Sequence, residues 1–143
     1  MPQITREIAK GQLVQLTFMQ DAVAASQTDA QLPIAEVNAG AGNAIDGYVM
    51  PFPGEIVAVS WLLSAAGTAG VFTIGPTIGG TESTALTQTV GTAANGRGVV
   101  PRGTAQFAAG ANVGCEITTN GSWDGTSSDL GVSVWVLLYL EGI

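Results

Sequence analysis

Few side chains in this 143-residue chain could do chemistry, and the main constraint is an absence: the sequence contains no histidine. Ser–His and Cys–His nucleophilic pairs are thereby removed, along with the commonest metal ligand. Lysine occurs once, at Lys10, in a polar N-terminal stretch where a buried Schiff-base lysine is not expected. The single cysteine, Cys115, falls on the inward phase of an alternating run over residues 112–119, where a free thiol serves as a small apolar residue. Carboxylates remain. Asp124 and Asp129 flank the loop Gly125-Thr126-Ser127-Ser128, next to Trp123, an aromatic of the kind that stacks on sugar rings. A glycosidase needs two carboxyls about 5–9 Å apart across a cleft, and nothing in this spacing makes the two converge. They read as loop acids that keep the surface soluble, with Trp123 and Asp124 as the platform if the chain binds glycans. The loop lacks the D-x-D-x-D-G order of a calcium site. No helix follows the glycine pair Gly79-Gly80, so no phosphate loop is expected. The chain reads as a non-enzyme with no cofactor and no metal.

Composition narrows the partners. Charged residues make up only 10% of the chain against 46% hydrophobic, where about a quarter charged is usual. Either small residues coat the surface or part of it is buried against other subunits. The net charge of −7 rests on four basic residues, Arg6, Lys10, Arg97 and Arg102. They cannot neutralise a run of phosphates, so no direct nucleic-acid binding is expected. Arg97 and Arg102 read as solvated, with acids on a neighbouring subunit as the alternative. Residues 1–11 are too polar for a signal peptide. The uncharged run 56–81 is interrupted by Gly, Thr and Pro and alternates like strands, so no membrane span is expected.

The elements that must carry these residues are strands. Over residues 130–140 every even position is aliphatic, which is the period of a strand laying one face on a core. Its odd face begins with Gly131 and Ser133 and ends with Trp135, Leu137 and Tyr139. Residues 55–64 are apolar on both faces, with Val57, Val59, Trp61 and Leu63 on one and Ile56, Ala58, Ser60 and Leu62 on the other. Two such strands suit an oligomer, with Trp135, Leu137, Tyr139, Ile56 and Ala58 as its expected interface. Further strands are expected at 71–75, 84–90, 99–107 and 112–119, with turns at Gly79-Gly80 and Asn95-Gly96. No stretch has helical periodicity. The chain reads as all-β, an antiparallel sandwich or barrel. Between Phe18 and Tyr48 there is no aromatic residue, so little apolar area offsets the entropy of ordering that segment. Residues 1–45 therefore read as an extended N-terminal arm, with short strands possible at 12–18 and 31–37, and residues 46–143 as the sandwich body.

Behind the stiff lead-in Met50-Pro51-Phe52-Pro53-Gly54, three stretches carry a resemblance: GEIVAVSWLLSAAGTAGVFTIGPTIGGTES, VPRGTAQFAAGANVGCEITTNGSW and LGVSVWVLLYLEGI. Over roughly residues 48–142 the pattern resembles the decoration, or cement, proteins of tailed-bacteriophage heads. The resemblance implies a jelly-roll-like body, a homotrimer, and docking on the major capsid protein at the outer surface of the virion. It implies no enzyme activity and no cofactor. An acidic chain suits that surface better than the DNA-facing one. On this reading Ile4, Arg6, Lys10, Leu13 and Leu16 of the arm contact the capsid. Similar sequences also look like head-fibre or tail modules, so a carbohydrate-binding adhesin, with Trp123 and Asp124 as its platform, is the alternative.

Overall fold

The structure is a computed structural model that describes residues 11–35 and 45–140. The strands are β1 (Gly11–Gln20), β2 (Ala30–Gln31), β3 (Gly47–Val49), β4 (Gly54–Leu63), β5 (Phe72–Ile78) and β6 (Thr81–Glu82). They continue with β7 (Gln88–Val90), β8 (Asn95–Val99), β9 (Gln106–Phe107), β10 (Asn112–Thr119) and β11 (Leu130–Tyr139). The alternation that marks β11 in the sequence is what packs it: Leu130, Val132, Val134, Val136 and Leu138 are all buried, and the odd positions are half-buried. β11 lies second in a sheet ordered β1-β11-β4-β8, with β9 on the end of β4. A second sheet runs β2-β10-β5-β6, with β3 also on β10 and β7 also on β5. All these pairings are antiparallel. The inner faces of the two sheets share one core, including Phe18, Val59, Leu63, Phe72, Ile74, Val113, Cys115 and Ile117. The chain is an all-β, antiparallel, jelly-roll-like sandwich.

The division into arm and body does not hold for residues 11–35. β1 pairs with β11 along ten residues and places Leu16 and Phe18 in the core. Val23 and Leu32 follow them in, both fully buried. Each such side chain contributes roughly 1.5–3 kcal/mol by leaving water. Phe18 also meets Tyr48 edge-on, with ring centroids 5.6 Å apart. Thus an aromatic-poor segment is ordered by a strand 110 residues away. Leu16, read as a capsid contact, is a core residue, whereas Leu13 is exposed on the same strand. Ile4, Arg6 and Lys10 lie outside the described residues, as does the end of the strand expected at 31–37.

A bulge corrects the face assignments on β4. Trp135 pairs with Ala58, but the next residue, Val136, pairs with Ile56, which leaves Val57 as the extra residue. Ile56 is therefore turned into the core and is fully buried, while Ala58, Ser60 and Leu62 keep the outer face. Ile56 cannot belong to an outward interface. Gly79-Gly80 does form the expected turn, with φ of 60° and 80°. Asn95-Gly96 instead opens β8. Gly96 is required there because the Trp61 indole lies over it, 2.6 Å from where a Cβ would sit.

Candidate functional site

The carboxylates and the tryptophan picked out by type prove to be structural. Trp123 is buried. Its Nε1 donates to the Val23 carbonyl at 3.1 Å, and its ring meets Phe72 edge-on at 4.7 Å. Gly67 and Gly125 close over the indole, with would-be Cβ atoms 2.5 and 2.3 Å from it. No face is left for a sugar, so Trp123 is not a glycan platform. Asp124 accepts bonds from the Thr68 amide at 2.8 Å, the Ala69 amide at 3.0 Å and the Thr68 hydroxyl. The hydroxyl bond, followed by the two amides, holds its carboxyl below the usual range. Asp129 accepts from the amide of Ala22 at 3.2 Å, a residue in the left-handed region with φ 51°. Each acid therefore fastens a different loop. Cys115 is fully buried, and burial pushes its thiol far up, which keeps it unreactive. Among the described residues no group of three or more Cys, Asp or Glu side chains could hold a metal.

Sequence reasoning missed an ion pair between a buried carboxylate and an exposed guanidinium. Glu55 is 1% exposed and accepts from Arg102 Nε and from the Gly103 amide. The Arg102 guanidinium also lies 5.7 Å from the centre of the Tyr139 ring. Burial opposes ionisation of Glu55, but the bonds from Gly103, Arg102 and Tyr139, with the charge of Arg102, outweigh it and lower its pKa. A charged residue at the start of an otherwise apolar strand was the available signal, since a buried carboxylate needs a partner. Arg102 is thus paired within its own chain.

What remains accessible is the outer face of the first sheet. The strand registers set its side chains in cross-strand rows. One row is Gln15, Trp135, Ala58 and Val99; the next is Thr17, Ser133, Ser60 and Arg97; the third is Met19, Gly131, Leu62 and Asn95. Gln15 donates to Ser133 Oγ at 2.8 Å, and Trp135 Nε1 to Ser60 Oγ at 3.3 Å. Apolar residues lie on both sides of this polar row. Leu62 and Val99 are 61% and 73% exposed. A depression of about 260 Å³ beside Arg97 is lined by Leu13, Val57, Val99 and Trp135. A second, of about 230 Å³, opens over Gly131 between Met19 and Leu62. Trp135, Leu137, Tyr139 and Ala58 are all half-buried on this face, and Arg102 lies over Tyr139.

The outer face of the second sheet is different. Glu116 is 8% exposed and accepts from Gln31 Nε2 at 2.8 Å. Burial, then the nearby charges of Asp29 and Glu82, push its carboxyl above the usual range.

No family model matches the chain, and no curated protein does. Solved structures resemble it distantly, three of them as follows. The capsid asymmetric unit of cyanophage Pam1 matches at 14% identity and a TM-score of 0.49, covering 91% of this chain and 84% of that one. The capsid of Helicobacter pylori bacteriophage KHP30 matches at 12% and 0.45, covering 90% and 93%. The CBM36-1 domain of a multidomain xylanase from the hindgut metagenome of Trinervitermes trinervoides matches at 11% and 0.39, covering 89% and 95%. At this level none of them transfers a role to this chain.

Proposed function

We propose that this protein is a structural decoration, or cement, protein that binds the outer surface of a tailed-phage head and stabilises the shell as a homotrimer. One observation carries the reading: the reactive side chains of the sequence hold loops or core, while a broad face of the first sheet exposes apolar side chains that neighbouring subunits of an assembly would cover. The acidic balance of −7 fits a partner on the outside of the shell, away from packaged DNA. The sequence resemblance over residues 48–142 points the same way. The major capsid protein is the partner, and residues 1–10, with Ile4, Arg6 and Lys10, supply the reach to it. Binding to the assembled shell and not to its loose parts stabilises the shell by mass action.

The test is addition of the purified protein to undecorated heads. Saturable binding at many copies per head, with DNA release shifted to a higher temperature, is the expected result. Deletion of residues 1–10 should leave the sandwich folded and weaken that binding. A protein that binds a glycan array and ignores heads would instead support the carbohydrate-binding module, which would need a platform other than Trp123.

A further inference from the structure

Seven large apolar side chains stand exposed among the described residues, and six of them fall into two groups. Leu13, Met19, Leu62 and Val99 lie on the outer face of the first sheet, around Arg97. Ile45 and Val49, 70% and 71% exposed, lie on the rim of the second sheet, with the exposed carboxylate of Asp46 between them. This rim is held beside β1. Val49 pairs with Asn112, Ile45 O accepts from Ile34 N at 2.9 Å, and Tyr48 turns inward to donate to Thr17 O at 3.3 Å.

The two groups are complementary in charge. Arg97 is exposed and has no ion-pair partner among the described residues, in contrast to Arg102. Asp46 likewise has no side-chain partner there. Each apolar pair also brackets its charge: Asp46 lies between Ile45 and Val49 in the chain, and Arg97 lies between Val99 and Asn95, where the Leu62 row meets β8. Within one copy the pair cannot meet, because β8 and β1 sit at opposite edges of the first sheet, three spacings of ~4.8 Å apart.

We infer that copies of this chain join head to tail, with the 45–49 rim of one copy seated on the outer face of the first sheet of the next and Asp46 against Arg97. The occupant of that face is a second copy. A cation on one side of the sandwich and a carboxylate on the other make a heterologous contact, which builds a ring when the rotation closes. This deepens the trimer of the proposed function by naming its two surfaces.

A charge swap tests it, read by light scattering at micromolar concentration. The native protein should have the mass of a closed oligomer. Asp46→Arg and Arg97→Asp should each reduce it to the mass of one chain, and the double variant should restore the oligomer. A native monomer, single variants of undiminished mass, or a folded double variant that stays monomeric would each overturn the inference. A chain carrying both Val49→Cys and Val99→Cys adds a second measurement, since Cys115 is buried. Oxidation should link it into covalent oligomers, and a product of single chains only would also refute the contact. Head binding keeps the two ideas apart. Heads decorated by a monomer sink this inference, and the trimer with it, but leave decoration standing, whereas a correct charge swap with no head binding sinks only the decoration reading.

Discussion

The two sheets share one core, yet their outer faces have opposite character, and two buried glutamates show how. Glu55, on the first sheet, has Arg102 and the Gly103 amide on it and is held ionised below the usual range. Glu116, on the second sheet, has Asp29 and Glu82 nearby and only the amide of Gln31 in support, and its carboxyl is pushed up. The same residue type, comparably withdrawn from water, is shifted in opposite directions by what lies over it. Both described cations, Arg97 and Arg102, belong to the first sheet's side. The lesson is that the net charge of −7 is unevenly spread, with an apolar, cation-bearing face backed by an acidic one.

The largest expected effect separates the inside of the first sheet from its outside. Phe18 and Met19 are neighbours on β1, one fully buried and the other 37% exposed. Phe18→Ala should cost about 3–5 kcal/mol in urea unfolding, and Met19→Ala no more than about 0.5 kcal/mol. If both substitutions are equally mild, β1 is not part of the cooperative unit. In that case residues 11–35 behave as the arm that their composition suggests.

That contrast also marks how far the sequence could be read. β11 was legible because a complete aliphatic alternation over ten residues has one physical interpretation. The all-β class followed from several such runs and from the turn at Gly79-Gly80. The strand expected at 12–18 forms as β1, but its place in the body is not legible, because its stability comes from a ladder to residues 130–139 and composition within residues 1–45 carries no trace of that partner. Ile56 was put on the wrong face because a single extra residue, Val57, reverses the alternation. Trp123 looked like a platform because its loop is polar. The glycines that close over it include Gly67, more than fifty residues earlier in the chain. Asp124 is likewise explained by Thr68 and Ala69. In each case the missing term was a long-range contact that no local pattern encodes.

Next in size is the Glu55–Arg102 pair of the first sheet. Glu55→Gln keeps the shape but loses charge-assisted bonds, and at pH 7 it should cost about 1–2 kcal/mol. Because the folded-state pKa of Glu55 lies below the ordinary 4.5, this stability is fully present above that value and is lost as pH falls through the folded pKa. The melting temperatures of native and variant protein should therefore differ at neutral pH and converge in acid. A gap that stays constant with pH would mean that packing, and not the ion pair, is what Glu55 supplies.

The smallest effect has the opposite sign and belongs to the second sheet. With Asp29 and Glu82 beside it, Glu116 has a folded-state pKa above the ordinary 4.5, so the native state holds its proton more tightly than the unfolded chain does. Its ionisation therefore opposes folding. The penalty is absent below the ordinary pKa, grows as pH rises toward the folded value, and is complete above it. Glu116→Gln removes the charge but keeps an oxygen for Gln31 to donate to, so the variant should be more stable at pH 7 by about 0.5 kcal/mol, the scale of a substitution at a partly shielded position. Below pH 4 the two proteins should melt together. Measured side by side, Glu55→Gln and Glu116→Gln should shift the neutral-pH melting temperature in opposite directions and both lose their effect in acid. If Glu116→Gln destabilises at neutral pH, the bond from Gln31 outweighs the repulsion from Asp29 and Glu82. The electrostatic contrast between the two outer faces would then be wrong at its centre.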